Sequence, residues 1–225
     1  MDRQQRYEAI KAKEAELERR EEALRKNNVD IVNEKPPNFP PHCPFVRHDI
    51  AADIPIEFIT TMKIAFVLFC FTSATLFINL ISCGTTVTIK VGKGKGYSLG
   101  YNLVFGILYF LLTIPLAFKI NYYRLYTQCT QRNVKMTWFA LEGIYIAFHA
   151  YASAGVKNSG LIGLIALIDA LSAGSGAAKC FCTISGLCWL IATAGQVFLF
   201  GNVMKVTRGP APAANNSPYS PVIDN

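Results

Sequence analysis

Charge is what this chain has least of. Only 16% of its 225 residues are Asp, Glu, Lys or Arg, against about 25% in ordinary soluble domains. The shortage is local: residues 64–204 hold 11 charged side chains, with Glu142 and Asp169 the only acids, while residues 1–63 hold 23 and residues 205–225 hold three. This excludes an ordinary soluble domain for the middle of the chain. The front carries a net charge of −1 and the middle +7, so no basic arm is present to bind nucleic acid. Catalytic signatures are also lacking. There is no Gly-x-Ser-x-Gly, no His-Glu-x-x-His and no carboxylate pair in a plausible cleft, so the chain is read as a non-enzyme that needs no cofactor. Seven cysteines are present, but the one close pair, Cys180 and Cys182, has no second pair to complete a zinc site. An odd, scattered set is no disulfide framework either. His42, Cys43 and His48 are too close in sequence to converge readily on one ion. Val91–Gly96 is glycine-rich without the spacing of a phosphate loop, and reads as a turn.

Long apolar runs take the place of charge. Residues 99–118 are twenty without a single charge, about enough to cross a hydrocarbon core of ~30 Å at 1.5 Å per residue. The same test gives spans at 64–83, 136–156 and 180–204, flanked by Lys63, Lys90, Lys119, Lys135, Lys157, Lys179 and Lys205, whose stems reach headgroups. Residues 160–178 are also apolar. A turn at Gly174-Ser175-Gly176 leaves only 161–173, too short to cross, so an interfacial or re-entrant helix is expected. The fold class is therefore an all-α integral membrane protein with four transmembrane helices, an N-terminal cytosolic helix and a re-entrant or interfacial helix before the last span. Residues 1–33 form the charged helix, 34–63 a Pro-rich pre-membrane segment, 64–204 the membrane domain and 205–225 a disordered tail. Lys and Arg are more numerous on the side holding both tails, which assigns both termini to the cytosol. The polar start has no apolar signal core, so the first span is expected to direct insertion.

Glu16, Glu21 and Glu22 precede Arg20, Arg25 and Lys26 by four residues, an order that supports helix. Ile10, Leu17 and Leu24 repeat at seven, but charged residues occupy the companion seam positions. A solvated helix and a self-associating one (a homo-oligomer) both stay open. Pro36, Pro37, Pro40 and Pro41 then impose an extended linker. Tyr219 to Val222 in the Pro- and Ser-rich tail has the Tyr-x-x-apolar form that clathrin adaptors read in extended segments; Tyr7 to Ile10 has it too, within the helix. Cys43 and Cys129 are placed where palmitoylation is permitted.

Two groups of residues are candidates for function. Glu142 and His149, seven apart in the third span, share a helix face with Tyr145 between. With Asn79 they form a candidate intramembrane polar site and point to the alternative function, a small ion or proton transporter. The plainer account has Glu142 snorkelling to the interface and His149 bonded to Asn79, Asn102 or Gln196; it is preferred because the chain shows no internal repeat of transporter type. The second group is the loop 119–135, with Lys119, Arg124, Arg132 and Lys135, the aromatics Tyr122, Tyr123 and Tyr126, and no acid. Such a loop suits anionic headgroups, phosphoinositides included, and equally suits ordinary positive-inside bias with aromatic anchoring. Small residues in the third span, Gly143, Ala147, Ala150 and Ala154, are expected to serve helix packing.

Over roughly residues 34–208 the chain resembles the secretory carrier-associated membrane proteins. The resemblance is carried by Asn38-Phe39-Pro40-Pro41 with Cys43-Pro44, then Ile54-Pro55-Ile56-Glu57-Phe58 and Lys63. It continues with Thr75-Leu76-Phe77-Ile78-Asn79, Tyr123-Arg124-Leu125-Tyr126, and His149 with Ala154-Gly155. It implies a membrane component of post-Golgi and endosomal recycling carriers, acting in vesicle-mediated transport at the trans-Golgi network, endosomes, secretory vesicles and plasma membrane. It also implies that the segment between the second and third spans touches phosphoinositides. The family's Tyr-Arg-Pro-Leu-Tyr core lacks its proline here. The Asn-Pro-Phe repeats that bind EH-domain adaptors in many animal members are absent, so that partner is not expected.

Overall fold

The structure, a computed structural model, describes residues 8, 11, 13–23, 36–40, 42, 44, 46–90 and 96–208. The chain divides into two compact units, Met1–Ile54 and Pro55–Asn225.

In the first unit residues 13–23 are helical and exposed, with Glu16 and Arg20 paired at 3.1 Å. Ile10 and Leu24, the tyrosine motif at Tyr7 and Cys43 lie outside the described residues. The Pro-rich segment is not simply extended. The N–H groups of Asn38 and Phe39 donate to the Val46 carbonyl at 3.0 and 2.9 Å, and Val46 N–H donates back to Phe39 at 3.1 Å. The Asn38 amide closes the clasp, donating to the His48 carbonyl at 3.0 Å and accepting from His48 N–H at 2.6 Å. Helix α1 (Ile50–Asp53) is capped by Asp49, which accepts from Ala52 N–H at 3.1 Å. Asp53, its side chain fully buried, receives both prongs of Arg47 at 2.8 and 3.1 Å, the bidentate pairing a buried carboxylate needs.

The second unit holds α2 (Ile56–Thr85), α3 (Leu99–Leu116), α4 (Tyr123–Thr130), α5 (Met136–Ala154), α6 (Leu164–Ala173) and α7 (Gly176–Arg208). No strand occurs among the described residues. Helices α2 and α7 pack as a central pair, α3 flanks α2, and α5 and α6 pack on α7. The surface is apolar: Val67, Leu111, Ile144, Ile191 and Phe198 are exposed, while Thr72, Asn79, Asn102, Glu142, His149 and Ser185 are buried. That inversion suits lipid, where helices associate through close packing and internal hydrogen bonds. Three stretches, Ile56–Thr88, Leu99–Thr130 and Gly176–Arg208, are long and apolar enough to cross a membrane. The third span of the sequence, α5, is 19 residues long and less apolar because Glu142 and His149 lie within it. The small residues Gly143, Ala147, Ala150 and Ala154 are exposed, and a Cβ on Gly143 would meet nothing. The packing expected of them is made instead by Trp138, Glu142, His149, Ala152 and Ser153.

The segment expected as loop 119–135 is largely helical. Pro115 cannot donate to the preceding turn, and the helix widens into a π-helix over Ala117–Tyr122 before resuming as α4. The chain leaves α4 through Arg132, at φ 51°.

After α5 the chain folds into the bundle without crossing it. Helix α6 has ten residues, about 15 Å long at 1.5 Å per residue, half of a ~30 Å core. Gly155 ends α5 at φ +67°, and a Cβ there would stand 2.1 Å from the nitrogen of Gly163. Gly160, at φ +78°, lies so close to α3 that a Cβ would meet Phe105 at 2.4 Å. Only glycine suits both positions. The buried backbone of residues 160–163 is bonded from surrounding helices. Asn79 donates to the Gly160 carbonyl at 2.8 Å and accepts from Ile162 N–H at 2.7 Å and from the Trp189 indole at 3.2 Å. Asn102 accepts from Gly160 N–H at 3.4 Å and donates to Thr86 at 3.0 Å, and Ser185 donates to the Ile162 carbonyl at 2.8 Å. Asp169 of α6 closes the far end, accepting from the Tyr97 hydroxyl at 2.9 Å and pairing with Lys157 at 2.9 Å.

Asn79→Leu keeps the branched shape of the side chain, strands the Ile162 N–H and the Trp189 indole N–H, and leaves the Gly160 carbonyl with only the 3.4 Å bond from the Cys83 thiol. It is expected to lower stability by about 2–5 kcal/mol, whereas Asn202→Leu, removing one weak bond to Thr61, costs about 1 kcal/mol or less. Thermal unfolding of the purified protein in detergent checks both.

Candidate functional site

The intramembrane polar residues are arranged differently from the sequence expectation. Glu142 does not snorkel: it is fully buried, facing a cavity of about 20 Å³ lined by Asn121, Tyr122, Trp138, Tyr145 and Gln196 among others. His149 does not bond to Asn79, Asn102 or Gln196. Asn79 and Asn102 are committed to the re-entrant segment, and rings of Tyr145, Phe148 and Trp189 surround the imidazole at 4.5, 6.0 and 5.4 Å. Glu142 and His149 share a face of α5 as expected. Asn79 is linked to His149 through Trp189, whose ring meets the imidazole and whose N–H donates to Asn79. Among the described residues, the buried side-chain polar atoms without a hydrogen-bond partner belong to Thr72, Asn121, Glu142 and His149. Asn121 was not anticipated. It lies in a stretch that reads as loop, and only the π-helix turns it toward Glu142's cavity; no spacing rule announces such a helix.

The basic residues divide by accessibility. Lys119, Arg132 and Lys135 are exposed and Arg124 is half-buried, with its guanidinium donating to Thr137 at 3.2 Å. Arg132 also meets Glu57 at 3.2 Å. The aromatics are mostly withdrawn: Tyr122 and Tyr126 are buried, Tyr122 stacking on Phe69 at 5.9 Å and Tyr126 on Tyr123 at 5.8 Å. The expectation that they anchor at headgroups therefore gives way to Lys119, Arg132 and Lys135 as the reachable surface, because α4 turns one face inward. Cys129 is likewise fully buried. Among the described residues no group of three or more His, Cys, Asp or Glu is placed to hold a metal. Tyr219 and Val222 lie outside the described residues.

The SCAMP family model matches residues 36–210. The chain is similar to secretory carrier-associated membrane protein 1 of Sus scrofa, 32% identical over 151 residues, 66% of this chain and 41% of that protein. It is similar to the Homo sapiens protein of the same name, 31% identical over 151 residues with the same coverage. It is also similar to secretory carrier-associated membrane protein 4 of Arabidopsis thaliana, 30% identical over 169 residues, 72% of this chain and 60% of that protein. The chain thus spans between about two fifths and three fifths of these relatives. No solved structure matches it.

Proposed function

The chain belongs to the secretory carrier-associated membrane protein family, and from that premise we propose that it is a membrane component of post-Golgi and endosomal recycling carriers, working in vesicle-mediated transport by binding and not by turnover. The family match over residues 36–210 carries this reading. Both termini are assigned to the cytosol and the compartments are those of the recycling route. The lipid-contacting surface is Lys119, Arg132 and Lys135, with Arg124 and Tyr123 at its edge; their exposure beside a membrane span supports it. Tyr219 and Val222 are proposed as the adaptor-binding element of the tail.

The full chain in detergent is expected to be retained on phosphoinositide-coated beads more strongly than on phosphatidylcholine beads, and less so as salt rises. Each basic residue near an anionic surface is worth roughly 1 kcal/mol, so replacing Lys119, Arg132 and Lys135 together by alanine weakens binding about 100-fold. Equal retention on neutral beads, or an unaffected triple variant, would refute the lipid contact. For the tail, Tyr219→Ala is expected to raise the surface share of a tagged protein in cells, measured by surface biotinylation against total.

A further inference from the structure

We propose that the cavity beside Glu142 is a binding site for one small monovalent cation. Its geometry differs from that of a conduction path running from Glu142 to His149. The Glu142 carboxylate is fully buried, and none of the ion pairs among the described residues reaches it. Among the described residues neither of its oxygens nor the side-chain oxygen of Asn121 has a hydrogen-bond partner, and all three belong to residues lining one cavity of about 20 Å³. An ionised carboxylate offers acceptors only, and a buried one needs a counter-charge. Gln196, Tyr122 and Tyr145 line the same cavity, and their side chains carry an amide and two hydroxyls. Glu142 is the one acidic residue among those lining it.

Size and charge narrow the occupant. A cavity holding about one water-sized body needs on the order of 10–15 Å³, so one ion with little of its hydration shell fits, whereas a lipid headgroup or an organic substrate does not. One carboxylate balances one positive charge. A divalent ion such as calcium takes six to eight oxygens, commonly including several carboxylates, and among the described residues no such acidic group exists. His149 is not part of the site. It does not line the cavity, and the Tyr145 ring stands edge-on against it at 4.5 Å.

The test uses the full chain in detergent, melted in choline chloride and then in lithium, sodium or potassium chloride at equal ionic strength. At least one alkali cation is expected to raise the melting temperature saturably, by about 5 °C at a hundredfold excess over its dissociation constant, and to change the fluorescence of Trp138 in the cavity wall. Glu142→Gln is expected to melt at one temperature in all four salts, and in choline no lower than the wild type. Asn121→Ala, which keeps the charge, shifts the half-saturating concentration upward about tenfold. A wild type whose melting and fluorescence are the same in every salt would overturn the proposal. So would a Glu142→Gln protein with the wild-type cation dependence. If that variant does not fold, an unshifted Asn121→Ala titration would overturn it equally.

Discussion

One side-chain amide, that of Asn79, holds the arrangement of the membrane domain. In hydrocarbon an unpaired peptide group costs several kcal/mol, and non-helical backbone survives only where protein satisfies it. The segment after α5 runs non-helically through the interior, and Asn79 meets its Gly160 carbonyl and Ile162 N–H while also taking the Trp189 indole. This joins α2, the re-entrant backbone and α7 at one point. Asn102 and Ser185 complete the bonding from α3 and α7. With these groups spent on backbone, His149 is left to aromatic contacts and Glu142 to its cavity.

Much of this architecture is legible in the sequence, and the rest is hidden for physical reasons. The spans were readable because absence of charge over twenty residues is a direct requirement of the bilayer. Their helices extend further, α2 beginning at Ile56 and α7 at Gly176, since helix continues past the hydrocarbon edge that lysines mark. Helix α6 was expected to be too short to cross, from the Gly174–Gly176 turn alone, and has ten residues. What held it in place was not legible. Asn79 fitted a generic interhelical bond, and its partners, Gly160 and Ile162, are 81 and 83 residues away and use backbone atoms, which leave no trace in side-chain pattern. The 119–135 stretch misled for a different reason. Its charge is that of a loop, but a π-helix after Pro115 carries α3 onward and turns Asn121, Tyr122 and Tyr126 inside. The Asn38 clasp was hidden similarly, since prolines announce an end to helix and not the hairpin-like return to Val46.

The excess positive charge that first marked the chain divides into two kinds of work. At one end Lys157 is spent structurally on Asp169, beside Tyr97. At the other, Lys119 and Lys135 remain exposed around α4, and exposed Arg132 is shared with Glu57. Lys119 lies in the π-helix before α4, and Arg132 and Lys135 lie in the connection after it, so the second set flanks α4 at both ends. Glu142 is buried and lines one cavity with Leu125 of α4, Trp138 and Tyr145.

Asn79 is the acceptor for the Ile162 N–H and shares the Gly160 carbonyl with the Cys83 thiol. Hydrogen–deuterium exchange across residues 160–163 in nanodiscs, wild type against Asn79→Leu, tests this most directly. The wild-type segment is expected to exchange as slowly as the middle of α2, and the variant many-fold faster in this segment while α2 and α7 stay protected. Equal protection of the segment in both proteins would contradict it.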